Sequence, residues 1–186
     1  ALNDQGVQCQ WLSGSDIREA HIDFMWDCYQ HTQGRKWGAG YLNRDWFSRV
    51  VELMGDDVLM VLATRSGKWL GASFSFVAGD QLYGRYWGAV ADVACLHFEC
   101  CYYQLIEYGI HHSISRIDAG VQGEHKFLRG FQPTSTYSFH YIEHAVLGTA
   151  IHQFLDQERH HIKRLIQAYE EHSPIKSDAR RPCLFY

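Results

Sequence analysis

Three stretches of the 186-residue chain gather the side chains that do chemistry. The first is Leu82-Tyr83-Gly84-Arg85-Tyr86-Trp87-Gly88. Strict alternation along a strand puts Tyr83, Arg85 and Trp87 on one face and Gly84 and Gly88 on the other. An arginine between aromatic rings is held by stacking, while its guanidinium fork stays free for a carboxylate or a phosphate. The second stretch is Leu96-His97-Phe98-Glu99-Cys100-Cys101-Tyr102-Tyr103. Glu99 falls near a helix start, where the helix dipole favours a carboxylate, and it is a candidate catalytic residue with His97 as a substrate-binding neighbour. The spacing His97-x-Glu99 matches the opening of a zinc deaminase signature, but the Pro-Cys-x-x-Cys half is missing, so no metal site is expected. The third stretch runs from Asp118 through Gly120, Gln122 and Gly123 to Glu124-His125-Lys126-Phe127-Leu128-Arg129-Gly130-Phe131. Here Glu124 or His125 is suited to take a proton from an amine, and Lys126 and Arg129 to neutralise a phosphate or a developing oxyanion. Gln122 joins them as a substrate-binding candidate. The adjacent pairs His111-His112 and His160-His161 point to different sides of a helix and read as surface histidines.

The composition limits what these groups can serve. A net charge of -4 is the wrong sign for a broad duplex-binding face, so DNA is not an expected partner. With 46% apolar and only 20% charged residues, the chain can bury a core and does not read as disordered. The longest aliphatic run, residues 58–63, is far short of the roughly 20 residues a membrane helix needs, so no membrane span is expected. Six scattered cysteines, two of them adjacent, read as reduced thiols and point to a cytoplasmic location.

The elements that must position the candidates follow from periodicity. A helix is predicted over 16–31, with Asp16 and Glu19 as a capping pair and Ile17, Ala20, Phe24 and Cys28 on its buried side. Residues 32–41 read as a loop. A second helix starts at the cap Asn43, buries Phe47, Val50, Val51 and Met54, and ends at Gly55 in a left-handed conformation. Strands are predicted over 58–64, 69–77 and 82–88 as an antiparallel meander, with 58–64 central and covered on both faces. A helix over 96–113, a short strand over 116–119, an aromatic strand over 134–142 that closes the sheet, and a helix over 143–172 complete the order. The strand-helix-strand step makes one parallel pair. The fold class is thus α/β (α+β): a three-layer arrangement of the GNAT type, with a mixed, mostly antiparallel twisted sheet and helices on both faces. One domain is expected over 1–172, followed by an irregular tail over 173–186. In such a sheet the strand carrying Arg85 and the strand leading to Gln122 and Glu124 splay apart and leave a wedge for a ligand.

Taken together, Leu82-Tyr83-Gly84-Arg85-Tyr86-Trp87-Gly88, Leu96-His97-Phe98-Glu99 with Cys101-Tyr102-Tyr103, Gly123-Glu124-His125-Lys126 and Arg129-Gly130-Phe131 with Pro133 and His140 resemble the bacterial FemAB-like proteins of peptidoglycan biosynthesis or recognition. The resemblance covers roughly residues 24–154. It implies a GNAT-like fold and transfer of an acyl or aminoacyl group to an amine, with a small molecule or a peptidoglycan precursor as substrate. Members usually carry two such modules, so it also implies that this chain is the second module, completed by a partner module or a second copy. No firmly bound cofactor is implied; acyl-CoA or an aminoacyl-tRNA is the co-substrate. The segment Ala89-Val90-Ala91-Asp92-Val93-Ala94-Cys95 lacks the glycines with which CoA-using relatives cradle pyrophosphate, and tRNA fits it better.

Overall fold

The computed structural model describes residues 2, 5–34, 40–120 and 124–174. The chain divides into two compact units, Ala1–Val121 and Gln122–Tyr186. In the first, five strands form one sheet in sequence order: β1 (Val7–Ser13), β2 (Val58–Arg65), β3 (Lys68–Ala78), β4 (Gln81–Ala89) and β5 (Arg116–Asp118). The first three pairings are antiparallel and the last is parallel, as the strand-helix-strand step requires. The meander matches the predicted strands to within one residue at each end. Its first turn is tight: Ser66 and Gly67 both take positive φ, 50° and 75°, which suits the right-handed twist of the strands they join.

Residues 58–63 are buried on both faces, at 2% exposure or less. β2 is second from the edge rather than central, because β1 pairs along its whole length, from Val7–Arg65 to Ser13–Leu59. The sequence reading passed over β1, since Gln8 and Gln10 break the apolar pattern of this edge strand.

Helices cover both faces. On one lie α1 (Glu19–Gly34) and α2 (Arg44–Met54), whose Met25, Cys28, Tyr29 and Phe47 pack with Met60 and Phe74 in the core. α2 begins as predicted, with the Trp46 amide donating to Asn43 Oδ1 at 2.9 Å. Gly55 is not left-handed; at φ -54° it leads into a 3-10 turn, Gly55–Asp57. α1 starts later than predicted. Asp16 ends a 3-10 turn, and the Arg18 amide donates instead to His21 Nδ1 at 3.0 Å. The buried face shifts accordingly to Ile22, Met25, Cys28 and Tyr29. On the opposite face of the sheet lie α3 (Leu96–Phe98), a π-helical turn (Glu99–Tyr103) and α4 (Gln104–His111), together the predicted helix over 96–113. Ser73 Oγ on β3 donates to the Cys100 carbonyl at 3.0 Å, and Trp11 on β1 meets the Tyr108 ring edge-on at 5.4 Å.

The second unit holds a 3-10 helix (Glu124–Arg129) and α5 (Ala145–Glu171), the latter close to its predicted span. The aromatic strand predicted over 134–142 is not formed. The period is there, but the backbone makes no ladder, and Tyr137, Phe139 and Tyr141 are 84%, 96% and 91% exposed. In α5 only Gly148 is buried; of its apolar residues Leu147, Phe154, Ile162 and Leu165 are exposed, whereas Ile151 and Tyr169 are half-buried, Tyr169 against the Phe127 ring at 4.7 Å. Among the described residues no helix is long and apolar enough to cross a membrane.

The closest backbone approach between layers is at Gly88. A Cβ there would lie 2.0 Å from the Cys28 carbonyl oxygen and 2.3 Å from its carbon, atoms that cannot rotate aside. Gly88→Ala is expected to cost roughly 3 kcal/mol in urea denaturation. Gly84→Ala, whose Cβ would meet Asp118 O at 3.5 Å and Leu105 at 3.6 Å, is expected to stay within about 1 kcal/mol.

Candidate functional site

β4 departs from a regular strand in two ways, and both expose chemistry. Opposite β3, Phe74 pairs with Tyr86 and Ser75 with Gly84, so Arg85 is an extra, bulged residue. A bulge inverts the alternation beyond it. Tyr83, Tyr86 and Gly88 therefore share the α1/α2 face, while Gly84 and Trp87 share the other. This corrects the common face expected for Tyr83, Arg85 and Trp87. Tyr86 accordingly packs edge-on against Tyr29, Trp46 and Phe47, at 5.9, 5.5 and 5.9 Å, and Trp87 packs against His97 at 5.6 Å. Arg85 is exposed, and among the described residues no carboxylate forms an ion pair with it.

The second departure is on the other edge. Pairing with β5 covers only Gln81–Arg116, Leu82–Ile117 and Tyr83–Asp118. From Gly84 to Ala89 that edge of β4 has no strand partner among the described residues. Asp118 turns its own chain away, accepting from the Gly120 amide at 2.7 Å. The β3–β4 turn fixes the start of β5, because Asp80 O accepts from the Ser115 amide at 2.8 Å.

At the far end of β4 lies a cavity of about 160 Å³, bordered by His31, Thr32, Trp87, Asp92, Leu96 and His97. Thr32 Oγ1 donates to the Trp87 carbonyl at 2.9 Å and ties the last turn of α1 to the strand. The His97 ring lies between Trp87 and Tyr102, 5.4 Å from the latter, so aromatic packing fixes its position. An indole wall, two imidazoles, a hydroxyl and a carboxylate make a lining that can hold a polar group and move a proton. Trp87 and His97 are among the site candidates read from the sequence, whereas His31, Thr32 and Asp92 are not. The segment 89–95 contains no glycine. Cys95 nonetheless takes a left-handed conformation, φ 67°, the kind a glycine adopts without strain.

The remaining candidates have distinct settings. Tyr83 donates its hydroxyl to Gln81 Oε1 at 2.7 Å. Glu99 Oε1 accepts from Gln104 Nε2 at 3.0 Å, and Gln104 Oε1 accepts from Trp11 Nε1 at 2.9 Å, a chain that leads from the π turn to β1. In the second unit, His125, Lys126 and Arg129 are half-buried on the 3-10 helix that Glu124 begins. Its three-residue period puts Lys126 and Arg129 on the same side, and Arg129 Nη1 donates to the His125 carbonyl at 2.6 Å. Gln122 lies outside the described residues. Burial, then the Tyr41 hydroxyl 3.5 Å away, pushes the Tyr86 phenol above its ordinary range and keeps it neutral. Among the described residues no group of three or more His, Cys, Asp or Glu is arranged to hold a metal ion. Thr32→Val removes the tie between α1 and β4 and is expected to lower stability by about 1 kcal/mol in chemical denaturation.

Among solved structures, the chain is similar to the ribosomal-protein-S18-alanine N-acetyltransferase from Escherichia coli, with 13% identity over 57% of this chain and 63% of that one and a TM-score of 0.43. It is similar to L-PGS from Bacillus licheniformis, with 8% identity over 61% of this chain and 35% of that one and a TM-score of 0.45. It is also similar to an aminoglycoside acetyltransferase from an uncultured soil metagenomic sample, in complex with trehalose, with 10% identity over 76% of this chain and 97% of that one and a TM-score of 0.49. The chain thus spans less than two thirds of the length of the first two. No curated protein matches the sequence. The sequence pattern of the FemAB-like family, peptidoglycan biosynthesis/recognition, matches residues 1–177, and the chain belongs to that family.

Proposed function

We propose that the chain is an acyl- or aminoacyltransferase acting on an amine, with a peptidoglycan precursor as the acceptor. The observation that carries this reading is the open edge of β4 from Gly84 to Ala89, which has bulged Arg85 near one end and the Trp87–His97 cavity at the other. An extended donor laid along such an edge can add to the sheet where β5 leaves it uncovered, apart from the Trp87 carbonyl that Thr32 already occupies, while side chains at the ends select what it carries. Family membership supports the same reading.

In this reading Glu124 or His125 takes the proton from the acceptor amine, with Glu99 as the alternative carboxylate. The nitrogen attacks the acyl carbonyl, the N–C bond forms, the C–O ester bond of the donor breaks, and the proton passes to the departing oxygen. Arg85 in the first unit and, separately, Lys126 and Arg129 in the second are the groups suited to hold phosphate or carboxylate; Tyr83, Trp87 and His97 are the binding candidates of the first unit, and Gln122 remains a candidate from the sequence alone. Asp92 at the cavity repels a pyrophosphate, and the glycine-free segment 89–95 offers it no cradle, which favours aminoacyl-tRNA over acyl-CoA as donor. These substrates place the reaction in the cytoplasm. The same reading takes 1–172 as one domain; the tail expected over 173–186 lies outside the described residues from 175 onward. A second reading, a module that binds the precursor without turnover, is favoured by the engagement of Glu99 with Gln104.

Thermal shift with acetyl-CoA, aminoacyl-tRNA and a nucleotide-linked muramyl peptide tests the substrate class. At 100 times its Kd a true ligand adds about 2.7 kcal/mol, and the largest shifts are expected from the last two. Arg85→Ala and Glu124→Gln are expected to abolish binding or turnover while changing stability by no more than roughly 1 kcal/mol. A loss of roughly 3 kcal/mol or more in both variants would overturn these assignments, because it would mark a buried structural network. Binding without turnover supports the second reading.

The outward apolar residues of α5, among them Val146 at 76% and Phe154 at 61% exposure, support association with a second copy or a partner module. Light scattering of the purified chain is expected to report a dimer. A monomer mass at high concentration would count against it.

A further inference from the structure

We propose that Cys9 and Cys100 form a reversible oxidation site, closing to a disulfide between β1 and the π turn when the protein meets a peroxide. The placement follows from two periodicities. Cys9 and Trp11 are two residues apart on β1 and share the sheet face covered by α4. Cys100, Gln104 and Tyr108 are four apart along the helical segment and share the side that meets β1. Trp11 is anchored on Gln104 at 2.9 Å and on Tyr108 at 5.4 Å, so the preceding same-face residue, Cys9, falls against the preceding helical turn, Cys100. The backbone at Cys100 is held in place by Ser73, which donates to its carbonyl at 3.0 Å. Cys100 is fully buried, whereas Cys9 is half-buried on an edge strand.

The electrostatics give the pair a direction. The Cys100 side chain beside it lowers the Cys9 thiol below its ordinary range against the opposing effects of burial, Glu99 and Glu107. The Cys9 side chain, followed by burial, pushes Cys100 up. Cys9 is therefore the attacking sulfur and Cys100 the resolving one. In the first step the Cys9 thiolate attacks a peroxide oxygen; an S–O bond forms, the O–O bond breaks, and water or an alcohol leaves with a proton. In the second the Cys100 sulfur displaces the hydroxyl; an S–S bond forms, water leaves, and two electrons have passed from the thiols to the peroxide. A dithiol reductant reverses it by exchange. The other described cysteines are set apart. Burial holds the Cys28 thiol up to about 12 and also raises Cys101, and Cys95 is exposed outside this pairing. The cross-link would pin the π turn, which follows directly on the segment bearing His97, to the sheet edge.

The test is to expose the reduced full-length chain to stoichiometric hydrogen peroxide, block free thiols, digest without reduction and sequence the linked peptides by tandem mass spectrometry. An intramolecular Cys9–Cys100 link is expected, lost on treatment with dithiothreitol. Cys9→Ser and Cys100→Ser should abolish it, and Cys28→Ser, Cys95→Ser and Cys101→Ser should leave it. The wild-type map stands even if Cys100→Ser does not fold. Oxidised wild-type chain should also melt at a higher temperature, reversibly, because the cross-link restricts the denatured state. A link from Cys9 to Cys95, Cys101 or Cys183, a link between molecules, or unlinked Cys9 oxidised to sulfinic acid would overturn the proposal.

Discussion

The arrangement of the first unit depends on how closely the backbone of α1 can lie against β4. At Gly88 there is no room for even one methyl group, since the Cys28 carbonyl occupies that space. The contact brings the last turn of α1 near enough for Thr32 to reach the Trp87 carbonyl, and it lets His31 and Trp87 border one cavity. Dense aromatic packing of Tyr29, Trp46, Phe47 and Tyr86 holds the same junction from below. Ring pairs at these distances add directional preference to simple burial, so the helix has little freedom to slide.

The opposite face is built differently. There the sheet presents Ser73 and Ser75, both buried, to the π turn and α4. Ser73 is satisfied by the Cys100 carbonyl, and Ser75 Oγ has no partner among the described residues. An unbonded buried hydroxyl costs free energy that a purely apolar face would not incur. The polar anchor, by contrast, sets the height of the π turn on the sheet. One side of the sheet is thus fixed by shape and the other by a few directional bonds.

Much of this was legible in the sequence where one local signal sufficed. The meander could be read because 58–63 is apolar at every position, and the α2 start could be read because Asn43 precedes an apolar helical stripe. The sequence also marked Trp87 and His97, which do meet. What stayed hidden was non-local. A bulge at Arg85 leaves the residue pattern of β4 unchanged, and only pairing with Phe74 and Ser75 reveals it. Thr32 and the strand it holds are 55 residues apart, and nothing in either segment announces the bond. The error over 134–142 has the same origin: alternation describes side chains, whereas a strand is defined by the backbone beside it.

The bulge in β4 and the π turn that follows α3 are each an element lengthened by a single residue. One turns Trp87 toward the helical layer, and the other offsets the part of the helix before it, where His97 sits, from the part after it, where Gln104 and Tyr108 meet β1. Each is an event that one inserted or deleted codon can create or erase. A related chain that had lost either insertion would keep its sheet and its helices but would rotate one wall of the cavity away from the other. Gain or loss of a shared site in this fold can therefore turn on length differences of one residue rather than on exchange of the residues that line it.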